Sequence, residues 1–173
     1  MSDDPVFTTP QCRARYLRLG DGPIVQALLE KCTDYFELVT GLPPGPTEAQ
    51  TLFTDLPPDK TYADKILIGL FDQAETLSGV LDAIRDYPEP GVWHIGLLLI
   101  DPDHRDHGWG AEIYRAFEDW SRGQGAQAIR LGVFEQNEKA QRFWQRMGFT
   151  EIERTCRHFG ALDGILIVMR RSL

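Results

Sequence analysis

The segment from Gly91 to Ile100 constrains the fold more than any other part of the chain. Its sequence, GVWHIGLLLI, is nearly all apolar and ends at Asp101-Pro102. A membrane span needs about 20 apolar residues, so this shorter run predicts a β-strand that is buried on both faces. A turn containing two glycines and an amphipathic helix that begins near Trp109 follow it. The strand, turn and helix should therefore form one unit of an α/β domain.

Strand and helix patterns alternate along the rest of the chain. Alternating polar and apolar side chains, or short apolar runs between turn residues, predict further strands at 13–19, 65–71, 78–84, 128–134, 149–156 and 164–170. Apolar residues at helical spacing predict helices at 22–40, 48–56, 109–122 and 137–147. We expect residues 1–12 to be a flexible leader and residues 13–173 to be one domain, in which helices flank a central mixed sheet.

The composition indicates a globular protein. Of the 173 residues, 42% are hydrophobic and 25% are charged, which excludes a disordered or fibrous chain. Cys12, Cys32 and Cys156 have unrelated spacings, which suit a reducing compartment and predict neither disulfides nor a zinc site. The acidic N-terminus lacks the features of a signal peptide. We therefore expect a cytoplasmic protein without a membrane segment.

Acidic residues are concentrated in the first half of the chain. Residues 1–90 carry 15 acidic and 7 basic side chains, and residues 91–173 carry 11 of each, so the whole net charge of −8 belongs to the first half. A nucleic-acid-binding surface would show the opposite bias, so no nucleic-acid partner is expected. The acidic half either keeps the protein soluble or attracts a cationic small molecule or basic peptide.

The turn after the buried strand has the features of an anion site. Gly108 and Gly110 lack Cβ atoms where the chain turns, and the next helix directs its positive N-terminal end to the same place. A dinucleotide fingerprint would need a third glycine where Ile113 stands, and a phosphate-loop Lys-Ser/Thr pair is also missing. A phosphate or pyrophosphate site and an ordinary strand-turn-helix corner both remain open from these residues alone.

Two motifs resemble the signatures of the GNAT superfamily of acyl-CoA-dependent N-acyltransferases. RDHGWGA, at 105–111, is similar to the Arg/Gln-x-x-Gly-x-Gly/Ala loop of that family, which binds the pyrophosphate of coenzyme A. NEKAQRFWQRMGF, at 137–149, is similar to its second signature and begins 26 residues after Ala111. The order of elements agrees from about residue 13 to 171. The resemblance implies the GNAT α/β fold, with a mixed, mostly antiparallel sheet splayed between its fourth and fifth strands, 91–100 and 128–134.

The resemblance also implies acetyl-CoA as the cofactor and assigns residues to it. The residues that it places around coenzyme A are Leu98, Leu99, Ile100, Arg105, Asp106, His107, Gly108, Trp109, Gly110, Ala111, Asn137, Ala140, Phe143 and Trp144. Tyr35, Phe36 and Glu37 lie in the region that walls the acceptor site in the family. The implied reaction is transfer of an acetyl group to a primary amine of a small molecule or peptide.

Two positions depart from the family pattern. His107 replaces the usual Arg or Lys before the first glycine of the loop, which makes coenzyme A binding weaker or more dependent on pH. Trp144 replaces the usual Tyr, a frequent proton donor to the leaving thiolate, and an indole cannot supply that proton. A thiol has a pKa near 8.5, so solvent could protonate the thiolate instead. A non-catalytic acyl-CoA-binding or regulatory module therefore stays open as an alternative.

An alkylammonium must lose a proton before it can attack a thioester, because its pKa is about 10. His94 is the candidate general base: it lies eleven residues before Arg105, where several family members carry a catalytic Glu. A structural histidine on a buried strand is the alternative, with Glu135, Asp82 or a water chain then accepting the proton.

Three further questions concern metal, partner and assembly. The cluster at 101–107 contains three Asp and two His, but ligands so close together on one turn rarely converge, and we expect no metal. A protein N-terminus or lysine is a further alternative acceptor, favoured if the site is a wide groove rather than a pocket closed by residues 41–59. A homodimer is also left open.

Overall fold

Eight strands and five helices form the part of the chain that the computed structural model describes, residues 4–173. The strands are β1 (Phe7–Thr8), β2 (Arg13–Tyr16), β3 (Lys65–Phe71), β4 (Leu77–Ile84), β5 (Val92–Ile100), β6 (Ala128–Phe134), β7 (Thr150–Phe159) and β8 (Leu162–Ser172). The helices are α1 (Gly22–Lys31), α2 (Thr33–Thr40), α3 (Glu48–Thr54), α4 (Trp109–Gly123) and α5 (Glu138–Arg146). Short 3₁₀ turns lie at Leu19–Asp21 and Pro102–His104.

All eight strands belong to one mixed sheet in the order β1-β2-β3-β4-β5-β6-β8-β7. Neighbouring strands are antiparallel except for β5 and β6, which are parallel and are joined by the crossover through α4. The predicted mixed, mostly antiparallel sheet is confirmed, and β3 and β6 have the predicted bounds.

The predicted helix at 22–40 is divided into α1 and α2. Cys32 leaves helical geometry, with φ −93° and ψ 29°, and its side chain is fully buried. Apolar periodicity continues across this residue, because both helices face the same side of the sheet, so the pattern could not reveal the break. Gly41, in the left-handed conformation at φ 74°, ends α2 as predicted.

The helices cover the two faces of the sheet and create two cores. On one face α1, α2 and α3 pack over a cluster that includes Val25, Leu29 and Phe36. On the other face α4 and α5 pack over a larger cluster that includes Ile113 and Phe117. We call these the α1–α3 face and the α4–α5 face. Side chains alternate between them along each strand.

The segment predicted to be a leader contains ordered structure where it is described. Within it, β1 pairs with β2, and Cys12 is buried in the larger core. The first three residues of the predicted leader lie outside the described residues. Over residues 4–173, the helices are all too short or too polar to traverse a bilayer.

Candidate active site

A cleft opens where β5 and β6 part. The two strands pair from Val92–Ala128 to Ile95–Leu131, and the pairing ends there, while β6 continues beside β8 to Phe134. The register between β4 and β5 shifts at the same level, because Asp82 pairs with Leu97 and Ala83 with Ile95, which leaves Gly96 as an extra residue. The cleft between the parted strands has a volume of about 810 Å³ and is lined by residues from both faces of the sheet. The splay that the sequence resemblance implied between these strands is present.

One end of the cleft is formed by the loop between β5 and α4. Gly108 is the N-cap of α4 in the left-handed conformation at φ 82°, and no side chain caps the helix there. The Arg105 Nε donates to the Ile100 carbonyl oxygen at 2.8 Å, and its guanidinium pairs with Asp34 of α2 at 2.5 Å. These contacts fix the loop against both β5 and α2.

Three features of this loop fit the pyrophosphate of a nucleotide cofactor. The first N–H groups of α4 face no capping side chain, and a helix N-terminus favours an anion. The Arg105 Nη2 is buried and has no hydrogen-bond partner among residues 4–173. A Cβ at Gly110 would lie 3.3 Å from the Phe143 ring, so a larger residue would enter the cleft wall. Lys139 of α5, which pairs with Asp106 of the loop at 2.9 Å, also lines the cleft.

The second signature forms the opposite wall through α5. The Asn137 side chain caps α5 by accepting from the Ala140 N–H at 3.1 Å, which fixes the start of this helix. Phe143 also lines the cleft. Trp144 is 7% exposed, and its ring contacts those of Phe143 and Phe149 at 4.8 and 5.2 Å between centroids.

Tyr114 is the tyrosine nearest to Trp144, and it does not replace the missing proton donor. It lies behind the indole, at 5.3 Å between centroids, but its hydroxyl is directed toward Glu118 in the α4–α5 core. Burial and the nearby Glu118 carboxylate raise the pKa of Tyr114 well above its ordinary value. This phenol is therefore a weaker acid than usual and lies outside the cleft lining.

Most of the residues that the sequence assigned to the cofactor meet at this cleft. The ones that line it are Leu98, Leu99, Ile100, Arg105, Asp106, Gly108, Gly110, Ala111, Asn137, Ala140, Phe143 and Trp144. The side chains of two others point elsewhere. His107 is exposed to solvent, and Trp109 is buried against His104 at 4.7 Å between ring centroids.

The half of the cleft on the α1–α3 face has a different lining. Tyr35, predicted for the acceptor wall, lines it, and burial raises the pKa of its phenol to about 12. Phe36 instead packs in the core beneath α2, and Glu37 is exposed outside the cleft, because successive residues of a helix point in different directions. The tip of the β7–β8 hairpin completes this half with Arg157 and Phe159.

His94 lies on the α1–α3 face at the closed end of the cleft. The Arg130 Nη1 is 3.3 Å from its Nδ1, and the ring of Tyr87 contacts it edge-on. Burial, with a smaller contribution from the Arg130 charge, lowers the pKa of His94 to about 4. An imidazole with this pKa is neutral at pH 7 and accepts a proton poorly. This geometry does not fit the expected role of His94 as a general base with a pKa near 6.5.

The two other predicted proton acceptors occupy different settings. The Asp82 carboxylate lies beside Gly96, where a Cβ would be 3.3 Å from its Oδ2, and it pairs with Lys65 at 2.9 Å. Burial raises the pKa of Asp82 to about 6 although Lys65 opposes this shift. Glu135 is half-exposed and pairs with Arg154 at 2.7 Å. Asp82, with its pKa raised to about 6, is therefore a candidate proton acceptor near neutral pH, and it reaches the cleft only beside Gly96.

Arg130 and the tip of the β7–β8 hairpin are parts of the site that no sequence motif indicated. Arg130 is the single charged residue in the strand AIRLGVF, a signal that could have singled it out. The carboxylates and histidines of the turn at 101–107 do not converge. Among residues 4–173, no group of three or more His, Cys, Asp or Glu side chains is arranged to hold a metal ion.

Comparisons with known proteins agree with this geometry. Residues 25–149 match the model of the acetyltransferase (GNAT) family. An acetyltransferase from Thermus thermophilus has a similar structure, with a TM-score of 0.74 at 26% identity, over 98% of this chain and 99% of that one. A GCN5-related N-acetyltransferase from Kribbella flavida superposes with a TM-score of 0.70 at 22% identity, over 94% and 98% of the two chains. One from Brucella melitensis gives a TM-score of 0.75 at 17% identity, over 96% and 77%. A search of curated proteins gives no match.

Proposed function

The chain belongs to the acetyltransferase (GNAT) family, and from this premise we propose that it transfers an acetyl group from acetyl-CoA to a primary amine of a small molecule. The observation that carries the proposal is the cleft between β5 and β6, which joins the loop at 105–111 on one side of the sheet to the half of the cleft on the α1–α3 face. A two-substrate transfer needs this connection between two binding regions.

The chemistry of the loop supports the proposed binding position of the cofactor. The α4 N-terminus and Arg105 would hold the pyrophosphate, and the edge of β5 from Leu98 to Ile100 would offer backbone groups to the pantetheine arm. Phe143 and Trp144 would exclude water from the apolar part of the cleft. When bound, acetyl-CoA supplies an acetyl group activated as a thioester, which an uncharged amine attacks directly.

We assign removal of the amine proton to Asp82, acting through water at Gly96. Its pKa of about 6 leaves it ionised at pH 7 yet basic enough to accept a proton, whereas the pKa of His94 is about 4. Release of the thiolate needs no side-chain acid on this account, because a thiol of pKa about 8.5 is a tolerable leaving group. Trp144 then serves packing rather than proton transfer.

A small acceptor fits the rim of the pocket better than a protein segment. The Ala161 N–H donates to the Thr40 carbonyl oxygen at 2.7 Å, and the Gln136 side chain donates to the Leu38 carbonyl at 3.3 Å. These bonds connect the β7–β8 hairpin and the end of β6 to α2 across the α1–α3 face. The bridge, rather than residues 41–59, bounds the pocket, and it favours a small molecule or short peptide.

A non-catalytic acyl-CoA-binding module is the second candidate. The observation that favours it is Trp144, which occupies the tyrosine position and offers no transferable proton. The three cysteines are free thiols, which supports placing either activity in the cytoplasm.

A melting experiment with a turnover assay tests the proposal. Coenzyme A at about 100 times its Kd should stabilise the protein by roughly 2.7 kcal/mol, which for a domain of this size raises Tm by about 5–10 °C. Gly110→Glu should abolish the shift because its side chain would enter the cleft. Gly123→Glu is the matched control, since a Cβ there meets no atom within 4 Å.

Turnover then separates the two candidates. Release of thiol from acetyl-CoA with members of a panel of primary amines supports the enzyme. A full melting shift without turnover of any amine supports the binding module, and the absence of a shift with the unmodified protein refutes both.

A further inference from the structure

Three basic side chains form a row across the sheet at the closed end of the cleft. His94 of β5 is in register with Arg130 of β6, and Arg130 is in register with Arg170 of β8. Residues directly opposite each other on neighbouring strands point to the same face, so all three lie on the α1–α3 face. This is the face opposite to α4 and α5, and two of the three, His94 and Arg130, line the cleft.

The carboxylates around this row are paired with cations other than Arg130. Glu89 pairs with Arg170, the outer member of the row, at 2.8 Å. Four further carboxylates in or near the cleft have partners outside the row: Asp34 with Arg105, Asp106 with Lys139, Asp82 with Lys65 and Glu135 with Arg154. Within residues 4–173, Arg130 has no carboxylate within 4 Å, and its one hydrogen-bond partner is a neutral imidazole. A half-buried guanidinium without a counter-charge is costly unless a ligand supplies one.

The contact with Arg130 also fixes the tautomer of His94. A guanidinium can only donate, so the Nδ1 of His94 must accept, and the ring proton is therefore on Nε2. The pair thus presents two kinds of donor, the free N–H groups of Arg130 and the Nε2–H of His94, together with one net positive charge. One positive charge and a planar fork of donors match a carboxylate, whereas a phosphate would leave about one negative charge uncompensated.

We propose that His94 and Arg130 bind a carboxylate of the acceptor, so that the substrate is an amine that also carries a carboxylate, such as a free amino acid. The inference rests on the proposed acetyl transfer and names its substrate class. The carboxylate is held at the closed end of the cleft on the α1–α3 face. The amine then lies toward Gly96, where the cleft passes between β5 and β6.

Matched acceptors test the proposal. For several side chains, thiol release from acetyl-CoA is measured with the free amino acid, its amide and the amine lacking the carboxyl group. The free amino acid should be preferred by about 30-fold or more in kcat/KM, as for a charge-assisted contact between buried partners. Arg130→Gln should bring this ratio close to one while the melting shift with coenzyme A persists, and Arg130→Lys should keep part of the preference.

Two controls keep the outcome decisive. Arg115→Gln removes an equal charge from an exposed position of α4, away from the row, and should keep the preference. Calorimetry with coenzyme A present compares an N-acetyl amino acid with its amide and needs no turnover. Tighter binding of the carboxylate, lost in Arg130→Gln, supports the subsite even if the protein is only a binding module.

Equal use or equal binding of the acid and the amide by the unmodified protein overturns the proposal. That result is distinct from failure of the proposed function, in which no amine of any charge releases thiol from acetyl-CoA. If Arg130→Gln does not fold, the comparison of acid with amide in the unmodified protein still decides the question.

Discussion

The setting of His94 predicts that the protein loses stability in mild acid. Burial and the adjacent Arg130 lower the pKa of this imidazole from 6.5 to about 4 in the folded state. Above pH 6.5 neither the folded nor the unfolded chain protonates it. Between pH 6.5 and 4 the unfolded chain binds a proton at this imidazole and the folded chain does not, so acidification favours unfolding.

The size of the effect follows from the shift. Each pKa unit corresponds to 1.36 kcal/mol, so a shift of about 2.5 units removes roughly 3 kcal/mol of unfolding free energy by pH 4 and about 2 kcal/mol by pH 5. His94→Gln cannot titrate, so the variant should lack this acid-dependent part. The difference in unfolding free energy between the two proteins isolates it from other titrating groups, including Asp82, whose raised pKa acts in the opposite direction.

Urea unfolding at pH 7, 6, 5 and 4.5 measures the difference directly. His158→Gln is the control, because that imidazole is 71% exposed and pairs with Asp163 at the surface rather than in the cleft interior. A stability difference between the unmodified protein and His94→Gln that stays constant from pH 7 to 4.5 would refute the reasoning. So would a ring titration by NMR with a midpoint between 6 and 7, which would restore His94 as a general base.

Two further predictions concern the proton transfers. Asp82→Asn should lower kcat by about 10²- to 10⁴-fold and remove the limb of the pH–rate profile near pH 6. Glu135→Gln should keep the kcat and the pH–rate profile of the unmodified protein. An unchanged limb in Asp82→Asn would contradict the assignment. Trp144→Phe should keep kcat within about threefold because the indole transfers no proton. Trp144→Ala should lower the free energy of unfolding in urea by about 3–5 kcal/mol because it empties a buried site. A large loss of kcat in Trp144→Phe at unchanged stability would show that the indole has a chemical role.

The sequence predicted those elements whose signals are local. The bounds of β3 and β6 follow from apolar runs between turn residues, and α4 and α5 begin at Trp109 and Glu138, within one residue of the predicted starts. The loop at 105–111 and the wall from Asn137 to Trp144 could be placed around one cleft because their motifs are contiguous. Side-chain direction within a motif was harder to predict, since Trp109 and His107 belong to the loop but point away from the cleft.

The parts of the site that depend on register could not be read from the sequence. His94 and Arg130 are 36 residues apart, and they meet because two parallel strands pair in one register. A shift of one residue would send Arg130 to the opposite face. Burial, together with this contact, lowers the pKa of His94 to about 4, so a histidine predicted to titrate near neutrality is uncharged at pH 7.

The parting of β5 and β6 that opens the cleft also leaves backbone N–H and C=O groups at the strand edges that need hydrogen-bond partners. Beyond Ile95, the backbone N–H and C=O groups on the side of β5 that faces β6 form no hydrogen bonds with β6. The Arg105 side chain donates a hydrogen bond to one of the β5 carbonyls, that of Ile100. Unpaired edges inside a cleft are unfavourable unless water or a ligand satisfies them. A pantetheine arm carries amides that can pair with this edge as an added strand would. Cofactor binding should therefore complete the hydrogen bonding of the sheet as well as deliver the acetyl group. For this reason we expect the rise in Tm with coenzyme A to come from contacts with the edge of β5 as well as from contacts with the pyrophosphate loop.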